Sequence, residues 1–379
     1  MPGIYIHIPF CRQACHYCNF HFSVSQKRRP EFIQALVQEI EMQKDFLKER
    51  SSSTPALKTL YLGGGTPSLL SIGELEQIVN ALHKYFAVSA STEFTLEANP
   101  DDLTAEKLEG LRQLSVNRLS IGIQSFHDAD LRYMNRSHSS RQAVEVLKNA
   151  QNAGFENITA DLIYGTPGMS DHQWRENIMQ LIAYGIPHIS AYSLTVEKKT
   201  ALEVFIRKGK AAAVDEEQSA RQFEILCEIT GKHGYEQYEI SNFGKPGFFS
   251  KHNLSYWTGQ PYLGMGPSAH SYKQGMRQWN IANTCTYIDE ISQGNIPCQK
   301  EVLSVDQQYN EYVMTALRTQ WGIEKSFINT EFGQMYYQNM IQSAQKHIFN
   351  QTLKETDTHL VITQSGKFLA DGIAADLFI

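Results

Sequence analysis

The first 230 or so residues alternate two kinds of segment, and this alternation restricts the fold more than any other feature. Strand candidates are "IYIHI" (4–8), "LKTLYL" (57–62), "TEFTLEA" (92–98), "RLSIGIQ" (118–124), "ITADLIYG" (158–165) and "HISAYSLT" (188–195). Most are β-branched or aromatic-rich and bounded by Gly, Pro or Asn. Helical stretches separate them. In "PEFIQALVQEIEMQKDFLKER", Phe32, Ile33, Leu36, Val37, Ile40, Phe46 and Leu47 recur at helical spacing behind Pro30. "SIGELEQIVNALHKYF", "SSRQAVEVLKNAQNAG", "DHQWRENIMQLIAYG" and "DEEQSARQFEILCEITGKHG" repeat the theme, with Ser or Asp starts and, in the last three, Gly ends typical of caps. Repeated βα units require a parallel sheet with helical crossovers, either open or rolled into a barrel. Polar groups gather at successive strand ends: Cys11 to Cys18 after the first, "GGGTPS" after the second, Glu97, Gln124, Asp161 and Ser193 on the next four. A barrel places its site at the carboxyl ends of all its strands, whereas an open sheet concentrates ligands at one switch point. The expected fold class is α/β, with a partial (β/α)6 barrel over residues 1–235.

Beyond about residue 240 the pattern weakens. "ISNFGKPGFFSKHNLSYWTGQPYLGMGPSAHSYKQG" is rich in Gly, Pro and aromatics, so 236–300 reads as a connecting segment of ordered loops and short pieces. Residues 301–379 read as a small α+β, winged-helix-like unit: a helix from Val305, then a hairpin-like strand pair and a short helix in "HLVITQSGKFLADGIAADLFI". With 42% hydrophobic and 20% charged residues, the chain has the profile of an ordinary globular protein. Its formal net charge of -6 gives nucleic-acid phosphates no broad attraction. No apolar run approaches the ~20 residues of a membrane span. Prolines and cysteines interrupt the N-terminal apolar run, unlike a signal peptide, so a cytoplasmic location is expected.

Three cysteines, Cys11, Cys15 and Cys18, fall within eight residues of "CRQACHYCNF". Three thiols cannot all pair with one another, and such clustering in a reducing compartment points to metal or redox chemistry. Cys227, Cys285 and Cys298 are scattered. Zinc usually takes four ligands, so a Cys3His site completed by His7, His16 or His21 is one option. A [4Fe–4S] cluster on three thiolates, with its fourth iron open to an external ligand, is the other. In "LYLGGGTPS", Gly63, Gly64 and Gly65 permit close approach of backbone to a ligand. A phosphate-binding P-loop is not indicated, since no Gly-Lys-Ser/Thr follows.

The C-x3-C-x2-C spacing after the first strand of a βα barrel, with Tyr17 before the last cysteine, resembles the radical S-adenosylmethionine (SAM) superfamily. "IYIHIPFC", "LYLGGGTPS", "LEANP", "SIGIQSF", "MNRSHS" and "DLIYGTPG" resemble, in order and spacing, its coproporphyrinogen dehydrogenase-like (HemN/HemW) branch. The resemblance is tight through residue 170 and at 250–272, and looser in the tail. It implies a [4Fe–4S] cluster on Cys11, Cys15 and Cys18, with SAM chelating the open iron. It also implies SAM contacts at Tyr5, Gly64, Gly65, Thr66, Glu97, Gln124, Arg136 and Asp161. The branch can bind two SAM molecules. Members that decarboxylate coproporphyrinogen carry a fourth cysteine in "CNC" and an N-terminal extension. Here Phe20 stands in "CNF" and the first strand begins by residue 4. Both departures, and "HNLSYW" (252–257), resemble the HemW-type haem chaperones. That likeness implies haem as a further cofactor, His252 as a candidate axial ligand with His270 and Cys285 as substitutes, and recipient haem proteins as partners. Peripheral membrane contact and a homodimer stay open. The alternative function is an oxygen-independent coproporphyrinogen III dehydrogenase.

Overall fold

The computed structural model describes residues 2–48 and 56–379. Six strands, β1 (Gly3–Ile8), β2 (Thr59–Gly64), β3 (Glu93–Ala98), β4 (Arg118–Gln124), β5 (Asn157–Tyr164) and β6 (His188–Ser193), pair in parallel in sequence order. Tyr5 aligns with Tyr61, Tyr61 with Thr95, Glu97 with Ser120, and Asp161 with Ser190. The crossovers carry α1 (Arg29–Met42), α2 (Ile72–Tyr85), α3 (Ala105–Gln113), α4 (Asp128–Met134), α5 (Ser140–Asn152) and α6 (Asp171–Ala183); α7 (Ala201–Arg207) and α8 (Glu216–Lys232) follow β6. Capping boxes at Ser71, Ser139 and Ser170 start α2, α5 and α6, and the Asp215 carboxylate caps α8. The helix predicted through Arg50 ends at Met42. Lys273 Nζ takes the carbonyls of Phe46 and Lys48, and 49–50 lie outside the described residues.

Side-chain alternation sorts the strands into two faces. Ile4, Ile6, Ile8, Leu60, Leu62, Leu96, Leu119, Ile121 and Ile189 are fully buried, in one core with Phe32 and Leu36 of α1 and Leu82 of α2. Each such aliphatic side chain contributes roughly 1.5–3 kcal/mol. The opposite face carries Tyr5, Tyr61, Glu97, Arg118, Ser120 and Asp161, and encloses a polar cavity of about 60 Å³. The fold is thus held from outside the barrel, and its interior is chemically equipped.

The segment at 236–300 is more regular than its composition predicts. Strands β7 (Glu236–Gln237) and β8 (Asn242–Gly244) extend the sheet antiparallel beyond β6. After α9 (Lys251–Trp257), β9 (Tyr262–Met265) pairs in parallel with the free edge of β1. Strands β10 (His270–Lys273), β11 (Met276–Asn280) and β12 (Cys298–Val302) continue that edge antiparallel, with α10 (Thr284–Ser292) between the last two. The result is one 12-stranded sheet. Buried Glu39 of α1 locks this edge: its carboxylate accepts from Tyr287 Oη (2.6 Å), Asn280 Nδ2 (2.7 Å) and Gly266 N–H (2.8 Å).

Residues 305–377 form a second core around α11 (Val305–Leu317), a helix at Gln334–Phe349 and a three-stranded antiparallel sheet. The predicted hairpin partner is corrected here. His359–Ile362 pairs with the upstream Leu353–Glu355, because Thr363 caps a tight helical turn over Gln364–Leu369.

Candidate functional site

The loop carrying the three thiols is closed at its base and docked along one side. At the base, Ser23 N–H donates to Pro9 O (2.6 Å) and Cys11 N–H to Ser23 O (3.0 Å). The side is held by the turn after α4: Asn135, in a left-handed conformation (φ 58°), donates from Nδ2 to Ala14 O at 2.7 Å, and His16 N–H reaches Met134 O at 3.1 Å. Tyr17 packs among Leu131, Met134, Ile163 and Leu202. "MNRSHS" therefore serves first as a cradle for the cysteine loop. Cys11, Cys15 and Cys18 are half-buried at its surface.

Two donors address the sulfurs. Thr66 Oγ1 donates to Cys11 Sγ at 3.6 Å, and Arg136 Nη1 to Cys15 Sγ at 3.4 Å. Arg136 Nη2 donates to Asn99 Oδ1 (2.7 Å) and Gly122 O (3.0 Å), so the guanidinium ties the loop to the ends of β3 and β4. Burial pushes the Cys18 thiol up to about 11 and also raises Cys11, an effect that bound iron would reverse. His7, His16 and His21 each spend a ring nitrogen elsewhere, on His21 O (2.8 Å), Tyr133 O (3.0 Å) and Thr284 Oγ1 (2.9 Å). Among the described residues, no three His, Cys, Asp or Glu side chains converge as a single ion requires.

Glu97 and Gln124 lie at the ends of β3 and β4, and Asp161 lies within the neighbouring β5. Glu97 accepts from Tyr61 Oη (2.8 Å) and Gly64 N–H (3.1 Å), and burial pushes its carboxyl up to about 7. Asp161 accepts from Ser120 Oγ (3.2 Å), and burial followed by the Glu97 charge pushes it up to about 7 as well. Gln124 sits at a register shift in β4 with φ 63°, a strained backbone of the kind that collects at sites. The glycines answer first to internal packing. A Cβ on Gly64 (φ 111°) would meet the His7 ring at 2.7 Å, and one on Gly65 would meet Phe10 O at 2.7 Å and Cys11 Sγ at 3.0 Å. Bare backbone there lets β2 lie against the start of the cysteine loop.

Tyr5 Oη donates to His7 Nδ1 (3.2 Å), and both rings line a cleft of about 910 Å³. Phe20, 68% exposed, Tyr256, Trp257, Tyr262, His270 and Tyr272 also line it, with Tyr312 and Phe332 opposite. Its residues come from 5–20, 256–272 and 305–332, so no single sequence window displays it.

His252 is corrected. It is 1% exposed, with Thr59 Oγ1 2.8 Å from Nδ1 and Tyr256 Oη 2.8 Å from Nε2. Its N–H donates to Glu93 at 3.1 Å, and burial, then Arg118, draws its pKa down to about 3. As placed, the imidazole pins α9 to the barrel and offers iron no free nitrogen. Cys285 is exposed on α10 and does not line the cleft. Sequence reasoning missed Asn99 and Arg118, both visible in hindsight from strand alternation and the "EANP" strand end.

Comparison with known proteins gives three results. The family description "Radical SAM superfamily" matches residues 5–181. "Heme chaperone HemW" of Bacillus subtilis (strain 168) is 35% identical over 98% of this chain and 98% of its own length. That of Mycobacterium tuberculosis (strain ATCC 25618 / H37Rv) is 32% identical over 99% and 94%. The chain belongs to the HemW family of radical SAM proteins. The structure of the coproporphyrinogen III oxidase HemN from Escherichia coli superposes with TM-score 0.85 at 20% identity, over 100% of this chain and 90% of that one, which establishes the shared fold. The radical SAM superfamily implies a [4Fe–4S] cluster and SAM. The chain fits both: three half-buried soft sulfurs on one docked loop, two of them facing donors, beside a carboxylate-lined polar cavity.

Proposed function

We propose that this chain is a haem chaperone that binds a [4Fe–4S] cluster, SAM and haem, and passes haem to recipient haem proteins. Cys11, Cys15 and Cys18 would hold the cluster, and Thr66 and Arg136 would favour their thiolate forms by donating to sulfur. Tyr5, Gly64, Gly65, Gln124 and the carboxyls of Glu97 and Asp161 would contact SAM. A cationic amino group arriving there would return raised carboxyls to their charged state. When bound, the cluster would supply one electron to SAM.

The observation that carries the haem assignment is the aromatic cleft of about 910 Å³, in the size class of small-molecule and cofactor pockets. Phe20 stands where decarboxylating members carry a fourth cysteine, and it presents a ring to that cleft. On this view residues 1–235 are the radical SAM core, 236–300 build the cleft wall and 301–379 cap it. No helix among the described residues is long and apolar enough to cross a membrane, and a cytoplasmic location is part of the proposal. Anaerobically reconstituted protein should contain iron and sulfide, bind ferric haem with a distinct Soret band, and convert no coproporphyrinogen III to protoporphyrinogen. Turnover of coproporphyrinogen, or absence of haem binding, would reject it.

A further inference from the structure

We infer that the imidazole of His270, at the start of β10, is the protein ligand to haem iron in the cleft. The inference rests on the haem-binding function proposed above and replaces His252 in that role. Two histidines line the cleft, His7 and His270. His7 has committed both ring nitrogens, Nε2 to His21 O at 2.8 Å and Nδ1 to Tyr5 Oη at 3.2 Å. His270 is exposed and stacks on the Trp279 ring at 6.1 Å and 22°, with Arg277 and His7 as charged or titratable neighbours and, among the described residues, no hydrogen bond to its ring nitrogens. That contact orients the ring and leaves its nitrogens available to coordinate a metal.

The backbone around it is built to hold that position. A Cβ on Gly264 would meet His270 O at 2.0 Å, and one on Gly266 (φ 94°) would meet His7 O at 2.4 Å. The two glycines therefore bring β9 flush against both histidine-bearing segments. Ser268, also on the cleft lining, holds φ 66°, a left-handed conformation that is strained for a non-glycine residue. The Gly266 N–H is anchored on buried Glu39 at 2.8 Å. An exposed histidine at the start of β10, directly after a strained, glycine-packed and buried-anchored turn and lining a large aromatic cleft, is placed as a ligand to a bound group.

The test is titration of full-length, anaerobically reconstituted protein with ferric haem and, separately, with metal-free protoporphyrin IX. His270→Ala should shift the Soret band and weaken ferric haem by about tenfold or more, while metal-free porphyrin binds as in the wild type. His270→Gly with added imidazole should regain the wild-type spectrum. His270→Gln repeats the loss with less change of side-chain volume. Iron and sulfide contents should be unchanged throughout. Wild-type spectrum and affinity in His270→Ala, or equal weakening of both porphyrins, would overturn the ligand assignment alone. A wild-type protein that binds neither porphyrin would overturn the haem-binding function with it.

Discussion

Gly65→Ala tests whether the glycine-rich end of β2 positions the first thiol. The backbone at Gly65 needs no special φ, so the effect of one methyl is purely steric. The new Cβ would lie 2.7 Å from Phe10 O, and 3.0 Å from both Cys11 Sγ and Ile8 O, about 0.7 and 0.4 Å inside ordinary contact. Two of these neighbours are main-chain carbonyls, and Ile8 O also accepts the Gly65 N–H at 2.8 Å. They cannot rotate away. Overpacking of this kind costs roughly 1–3 kcal/mol, and relief requires the Phe10–Cys11 segment to move outward. Expected results are a fall in Tm of about 2–6 °C and cluster iron reduced to about half or less after anaerobic reconstitution. Gly73→Ala is the matched control, because a Cβ there meets nothing within 4 Å in the first turn of α2. It should hold or raise Tm by the helix preference of Ala, ~0.5–1 kcal/mol, with full iron. Wild-type Tm and iron in Gly65→Ala would refute the packing account. A lowered Tm with full iron would show that the strand absorbs the clash and the thiol does not.

Three further outcomes follow from other contacts. Cys15→Ala should abolish cluster iron yet keep wild-type far-ultraviolet circular dichroism, because the loop contributes little to the core; wholesale loss of structure would contradict this. Asp161 is raised from 3.8 to about 7, chiefly by burial. Between roughly pH 4 and 7 the folded state keeps a proton that the unfolded chain releases, so this group's contribution to stability falls as pH rises. Asp161→Asn should therefore match the wild-type unfolding free energy near pH 4 and exceed it increasingly up to pH 8, by a few kcal/mol at most; a pH-independent difference would exclude the mechanism. His252→Ala should lower Tm sharply, since Thr59 Oγ1 and Tyr256 Oη each lose a buried partner worth about 1–3 kcal/mol. Folded His252→Ala protein should keep the wild-type haem spectrum, and an altered spectrum at unchanged Tm would restore it as a ligand.

The six parallel strands were legible because each carries an apolar outer set, such as Ile4, Ile6 and Ile8, and long capped helices separate them. The cysteine loop and the strand-end acids were legible because they are local in sequence. Strands β7 to β10 were not, since each has two to four residues and takes its order from edges supplied by β6 and β1. His252 misled for a related reason: a histidine beside aromatic residues has the same spelling in a pocket and in a packed joint. Only the 193-residue separation between His252 and its partner Thr59 distinguishes them, and that pairing exists only after folding. The bonds of Arg136 to Cys15, Asn99 and Gly122 were not legible, because sulfur, carbonyl and amide acceptors leave no distinguishing spacing.

The incomplete barrel explains why cluster loop and cleft share a wall. Closing six strands would have paired β1 with β6; here β1 pairs with β9 instead. That pairing brings Gly264 beside Tyr5 and Met265 beside Ile6, and so carries the turn with Ser268 and His270 to the inner side of β1. The same strand ends in the cysteine loop, with His7 bonded to its His21 carbonyl. A polar inner face could not stabilise such a sheet unaided. Arg118, for example, is buried with Thr159 Oγ1 as a hydrogen-bond partner at 2.8 Å, and its Nε has none among the described residues. Buried charge of that kind costs stability, and the aliphatic shell between sheet and helices offsets it. Stability and chemistry are thereby divided between the two faces of one sheet, so substitutions on the inner face should alter ligand binding with modest losses of fold, and substitutions on the outer face the reverse.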